Sequence, residues 1–208
     1  MAIKITTSPT ARDLTGKSHW WGFPDLPAHT PYPCAEPTAE GEPEETLTFI
    51  CQIDLRDIAH LDAQQLLPHN GMLYFFAHLD YFPGDLDAPC MGLGNWPLNA
   101  FKVIYSPTTD NLHTHEIYYD DNTPATLPAE EMTFAPCPEG SDGCTLLGSP
   151  LYDEVTEENP GLLSLLQVDE NDRWGLRFFD CGTLNFLIEK SRLLNKDFDS
   201  TSLYCHSF

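Results

Sequence analysis

Two segments of the chain spell the same pattern in the same order, and this repetition constrains the fold more than any other feature of the sequence. Ile50-Cys51-Gln52-Ile53-Asp54 matches Leu165-Leu166-Gln167-Val168-Asp169: two apolar residues, a glutamine, a β-branched residue and an aspartate. Further on, Gly71-Met72-Leu73-Tyr74-Phe75-Phe76 matches Gly182-Thr183-Leu184-Asn185-Phe186-Leu187. A G-x-P triplet precedes each, Gly22-Phe23-Pro24 and Gly148-Ser149-Pro150. Each unit reads as a strand, a connection, a glycine turn and a second strand. One such pair cannot bury its apolar face alone, whereas two in a common sheet can. The expectation is an α+β fold: a mainly antiparallel sheet built from two diverged copies of a strand-connection-strand module, with few short helices. Residues 1–208 then form a single domain with an internal pseudo-repeat at roughly 22–105 and 146–208.

The rest of the pattern fills in around these units. Apolar runs at 47–54, 72–79, 100–105, 114–119, 162–169, 183–189 and 202–208 predict strands. Residues 55–67 predict a helix that Pro68 ends, and 191–198 a short one near the C-terminus. Residues 22–46 hold six prolines and read as an irregular exposed segment, and 120–145 reads as a long acidic surface loop. The repeated Gln and Asp carry structural work on this reading. A glutamine in an apolar strand has to find hydrogen-bond partners, and an aspartate at a strand end closes a turn or caps a helix.

Charge narrows the function classes. Thirty-two Asp and Glu against ten Lys and Arg give a formal net charge of −22. Such a surface repels phosphates, so nucleic acid and anionic membranes are not expected as partners. From Val103 to Asp172 there is no Lys or Arg at all. That stretch either keeps the protein in solution or steers a basic partner into contact. The acids that would make the contact are Asp120, Asp121, Glu130, Glu131, Asp153, Glu154, Glu157 and Glu158. Seven cysteines, an odd number without a C-x-x-C pair, point to a reducing cytoplasm. Cys51 and Cys181 read as small buried hydrophobes. No disulfide is expected, and Cys137–Cys144 is the first pair to consider as an exception. The N-terminal residues lack a signal-peptide pattern, and no run of 18 apolar residues predicts a membrane-spanning helix.

Motifs for catalysis are few. His113 and His115 lie two apart, on one face of a strand, and with Glu116 form the one candidate metal set; a third ligand elsewhere is not indicated, and an exposed charged edge explains them equally. Cys205-His206 places thiol and imidazole on opposite strand faces, which argues against a nucleophile–base pair. Asp169-Glu170-Asn171-Asp172 begins like a calcium loop, but Trp174 stands where that loop needs glycine. Phosphate loops, G-x-S-x-G and H-E-x-x-H are absent from the sequence. No cofactor is expected. Trp20, Trp21, Trp96 and Trp174 read as core, with one of the adjacent pair Trp20-Trp21 a candidate for exposure to a partner.

The segments from Ser18 to Pro27, FICQIDL, GMLYFF, FKVIY, LLGSP, LLQVD with Trp174-Gly175, DCGTLNFLI and the closing KDF…LYCHS together resemble the YwqG-like proteins, a bacterial family of unknown function. The resemblance runs from about residue 18 to the end. Trp21-Gly22 and Ser149 depart from the family pattern, and the acidic region 120–145 has no counterpart in it. The resemblance implies a large, mainly antiparallel sheet and no established reaction; some members look like immunity proteins paired with bacterial toxins. The resulting expectation is a non-catalytic, cytoplasmic, acidic binding protein, in its sharpest form an immunity protein neutralising a basic toxin domain. The alternatives are an enzyme or metal-dependent protein with a site assembled from distant residues, and a small-molecule binding module.

Overall fold

The computed structural model describes residues 1–35 and 45–208. Its strands are β1 (Ala2–Pro9), β2 (His19–Trp20), β3 (Asp25–Pro27), β4 (Cys34–Ala35), β5 (Glu45–Thr46), β6 (Thr48–Asp54), β7 (Met72–Ala77), β8 (Gly94–Asn95), β9 (Phe101–Ser106), β10 (Leu112–Thr114), β11 (Glu130–Cys137), β12 (Thr145–Gly148), β13 (Leu162–Asp169), β14 (Gly182–Glu189) and β15 (Ser202–Ser207). The helices are short: α1 (Leu55–Ile58), α2 (Asp153–Glu158) and α3 (Lys190–Leu194). Eleven strands form one sheet in the order β8-β15-β14-β13-β12-β1-β11-β2-β6-β7-β9, antiparallel throughout. The mainly antiparallel architecture with few helices is therefore as the sequence suggests.

Read outward from the central pair β1–β11, the sheet runs through β2, β6, β7 and β9 on one side. On the other it runs through β12, β13, β14 and β15. The two sides match in detail. Each inner long strand carries a register shift, between Phe49 and Cys51 in β6 and between Ser164 and Leu166 in β13. Trp20 pairs with Cys51 as Leu146 pairs with Leu166, and His19 with Gln52 as Thr145 with Gln167. The residue before each G-x-P glycine has a left-handed backbone, Trp21 at φ 56° and Leu147 at φ 57°. A side chain on Gly22 would meet Ala129 Cβ at 2.7 Å, and one on Gly148 would meet Ala2 Cβ at 2.6 Å. The glycines are thus fixed by close approach of the chain entering β11 and β1 respectively.

The same comparison exposes a crossing. β1 precedes β2 in the chain but borders β12, while β11 precedes β12 but borders β2. Each half of the sheet takes its inner border from the other half of the chain.

Burial explains the composition of the strands. β7 is apolar at every position because both of its faces are covered. One face joins the main core with Phe75, Ile53, Phe186 and Leu184. The other packs Met72, Tyr74 and Phe76 under Leu26 and Leu47. On the opposite half, Leu187 and Tyr204 lie under Val155 of α2.

Four sequence expectations need correction. Residues 120–145 are not one loop, since β11 crosses the middle of the sheet there, with its first acid, Glu130, buried against Arg173. β1 adds a strand in a stretch where no apolar run suggests one. The strand expected at 114–119 lies instead at Leu112–Thr114. The helix expected over 55–67 is one turn, capped by the Asp54 carboxylate; the chain then turns through Gln65 at φ 52°, and Asp62 accepts from the Leu67 amide. In the proline-rich stretch, β3 is largely buried, while residues 36–44 lie outside the described residues.

Candidate functional site

Gln52 and Gln167 have the same duties. Gln52 Oε1 accepts from the Asp25 amide at 2.8 Å, and its Nε2 donates to the Lys17 carbonyl at 2.9 Å. Gln167 Oε1 accepts from the Leu151 amide at 2.8 Å, and its Nε2 donates to the Ser141 and Gly143 carbonyls at 3.1 and 2.8 Å. In both halves the amide served follows the G-x-P proline, so each glutamine clamps that turn to its strand.

The halves then diverge. Where the second has Thr145 and Leu151, the first has His19 and Asp25, both buried. Asp25 accepts from Gln52 Nε2 at 2.9 Å, from the Gly16 amide at 2.8 Å and from Thr114 Oγ1 at 2.6 Å. His19 Nε2 lies 3.7 Å from Asp25 Oδ2, and its Nδ1 lies 2.7 Å from the Trp21 carbonyl. Tyr74 donates its hydroxyl to the Asp25 carbonyl at 2.7 Å. Burial alone would raise the Asp25 pKa. The nearby His19 imidazole and the bonds from Thr114, Gly16 and Gln52 overcome it and hold the carboxyl at about 2. A buried carboxylate that the matching half does without is a feature the scaffold does not require.

His19 and Asp25 line a cleft of ≈ 430 Å3 with Arg12, Phe23 and Thr126. The strap 124–129 separates it from a second cleft of ≈ 290 Å3, the two sharing Pro124, Thr126 and Leu127. The second is walled by Trp21, Tyr119, Asp80, Asp85 and Thr48. Asp80 accepts from Thr48 Oγ1 at 2.7 Å, and burial raises its pKa, with Asp85 adding to the effect. The Tyr119 hydroxyl is raised by burial and by both carboxylates. A further cleft, of ≈ 790 Å3 along β9, has its acid Asp199 already joined to Lys102 at 2.5 Å.

The acids singled out from the sequence fall in separate places. Asp120 and Asp121 are exposed in the loop after β10, where Asp121 caps Thr123. Glu130 pairs with Arg173 at 2.8 Å and Glu131 with Arg12 at 2.7 Å, joining them to bases outside the base-free stretch. Asp153, Glu154, Glu157 and Glu158 are exposed on α2, with Glu158 accepting from Tyr204 at 2.5 Å. His113 sits exposed on β10, and the His115 ring lies 6.4 Å from that of Tyr32. Among the described residues no three His, Cys, Asp or Glu side chains converge on a common point.

Cys51, Cys144 and Cys205 are buried, and burial pushes Cys144 and Cys205 up to about 12, which removes Cys205 as a thiolate beside His206. Cys181, expected in the interior, is exposed at the turn before β14. Neither member of the Trp20-Trp21 pair is exposed: Trp20 stacks on Trp174 with ring centres 5.3 Å apart, and Trp21 stands edge-on to both. The His19–Asp25 pair escaped the sequence reading. Its one signal lay in aligning the two segments and asking where polar residues replace apolar or neutral ones. Among the described residues no helix is long and apolar enough to cross a membrane.

A domain family described as a domain of unknown function, DUF1963, matches residues 18–145 and 130–206. No curated protein matches the chain.

Proposed function

The chain belongs to the DUF1963 family, a domain of unknown function, and from that premise we propose that it is a non-catalytic binding protein whose partner is basic. The observation that carries the reading is how little of the negative charge is answered within the chain. Seven of the ten Lys and Arg, namely Lys4, Arg12, Arg56, Lys102, Arg173, Arg177 and Arg192, already pair with its own acids. The large remaining excess of carboxylates faces outward and attracts cations at long range. In the form that the YwqG-like resemblance suggests, the partner is a basic toxin domain and the protein its immunity factor, acting in the cytoplasm. The matching hydrogen bonds of Gln52 and Gln167 support a further part of the proposal, that the sheet arose from two diverged copies of one module.

The contact would rest on Asp120, Asp121, Asp153, Glu154 and Glu157, because Glu130, Glu131 and Glu158 are engaged with Arg173, Arg12 and Tyr204. Affinity purification from the native cell, with the parent and with a variant carrying Asp120→Lys, Asp121→Lys and Glu157→Lys, tests it. The parent should retain a basic protein that salt releases, since screening acts over roughly 8 Å at physiological ionic strength. The variant should lose it. An identical partner list for both, or none for either, overturns the reading.

A further inference from the structure

The two halves of the sheet end differently. β9 and β15 hold matching places, with Tyr74 paired to Ile104 as Asn185 is to Tyr204. Beyond β15 the chain adds β8, with Asn95 opposite Tyr204 and the Trp96 amide donating to the Leu203 carbonyl at 2.8 Å. Beyond β9 the described residues add no strand. The groups left over can be assigned. The His78 amide donates to the Ala100 carbonyl at 2.8 Å, and this pair continues the register of β7 and β9. Hydrogen-bonded pairs alternate along an antiparallel ladder, so Lys102, Ile104 and Ser106 bond to β7. The amides and carbonyls of Phe101, Val103 and Tyr105 therefore face away from it. Val103 and Tyr105 match Leu203 and Cys205, the positions that Trp96 and Gly94 border in the other half.

A free edge of six residues is a template for another strand, and proteins commonly blunt such edges. This one lies in a cleft instead. Residues 101–105 line the ≈ 790 Å3 space together with Tyr32 and Leu47, which pack on one face of the sheet, and Phe198, which packs on the other. Leu98, 77% exposed, adds an apolar side chain that nothing covers. Lys102, whose charge would guard a bare edge, is drawn to Asp199. Lys196 also lines the cleft. Among the described residues it is the one Lys or Arg whose side chain has no hydrogen bond or ion pair. The cleft thus holds an unanswered positive charge, which suits an acidic occupant, while the net charge of −22 sets two copies of the chain against each other.

We propose that β9 takes up an extended acidic segment of another protein as a further antiparallel strand, as β15 takes up β8. The segment bonds to the outward amides and carbonyls of Val103 and Tyr105. It sets an apolar residue opposite Val103, where Trp96 stands opposite Leu203, and a carboxylate near Lys196. This edge attracts the opposite charge from the acidic contact proposed above, so each can fail without the other.

The probe is the blocked peptide acetyl-Thr-Asp-Thr-Trp-Thr-Asp-Thr-amide, whose Trp and two Asp side chains share one face of a strand. It is titrated into the full chain, with binding followed by calorimetry and by amide hydrogen exchange read by NMR. Saturable binding is expected. Without peptide, the Lys102 and Ile104 amides should be protected and those of Val103 and Tyr105 should not. Saturating peptide should slow exchange at Val103 and Tyr105 about tenfold or more. Methylating the Trp nitrogen of the peptide should abolish binding, because that amide donates to the Val103 carbonyl. Methylating the nitrogen of the next Thr, which faces away, should weaken it far less. Lys196→Glu, at an exposed position, should weaken binding about fivefold, and Lys17→Glu should leave it unchanged. No saturable binding, equal loss from both methylated peptides, unchanged exchange at Val103, or indifference to Lys196→Glu overturns the proposal. A dimer of the chain alone, seen by sedimentation, that already protects Val103 and Tyr105 gives the edge to a second copy and overturns it too.

Discussion

Replacing Asp25 by Asn probes whether the buried polar cluster of the first half is held together by a charge. The carboxylate accepts from Gly16, Gln52 and Thr114 and faces His19, and these bonds hold it at about 2 against an ordinary value of 3.8. A group whose pKa is lower folded than unfolded contributes stability that is fully present above the unfolded value and is lost as pH falls through the folded one. The difference corresponds to about 2 kcal/mol at neutral pH. Asn adds a second cost, because its amide nitrogen has to face one of the donors that Asp25 now satisfies, so the full loss is about 3 kcal/mol. Urea unfolding followed by tryptophan fluorescence measures it, since Trp20, Trp21 and Trp174 pack together in the core. The gap between parent and Asp25→Asn should hold from pH 7 to pH 5 and narrow between pH 4 and pH 2. A gap below about 1 kcal/mol, or one that keeps its size across the acid range, would show that the charge is not what holds the cluster.

Gln52→Leu and Gln167→Leu should each cost about 2–4 kcal/mol in the same urea assay, because each strands a buried amide and at least one carbonyl; one neutral substitution would break the equivalence of the two turns. Thiol titration of the native protein should modify the exposed Cys90 and Cys181 and leave Cys51, Cys144 and Cys205 silent, with all seven thiols reacting after denaturation; rapid native labelling of Cys144 or Cys205 contradicts their burial. Glu130→Lys should destabilise the fold by about 3 kcal/mol, since it leaves Arg173 facing a like charge at a buried position. Asp120→Lys should change melting by no more than about 0.5 kcal/mol, as an exposed loop residue.

What was legible in the sequence followed from local rules. The runs around Gln52, Gln167, Tyr74 and Phe186 announced strands because strands covered on both faces need unbroken apolar residues. β11 was hidden because its sequence, EEMTFAPC, opens with two acids and contains a proline. Only the distant bases Arg173 and Arg12 make those acids compatible with a sheet. α1 stopped early because the Asp62 carboxylate and the left-handed Gln65 redirect the chain, which periodicity does not reveal. The cleft of Asp80 and Asp85 was invisible because it joins residues of the 80s to Trp21, Tyr119 and a strap more than thirty positions further along. The His19–Asp25 pair could have been reached by comparing the two segments position by position.

The crossing of β1 and β11 sets how the molecule gives way. Pulling on the N-terminus draws β1 out from between β12 and β11, so the first element to leave opens the centre of the sheet and not its rim. The half β12–β15 then loses its inner border, and β11 is left joined to the other half only through its two-residue pairing with β2. The two halves are therefore coupled mechanically as the two sides of a clasp are, and partial unfolding from that end leads directly to loss of the whole.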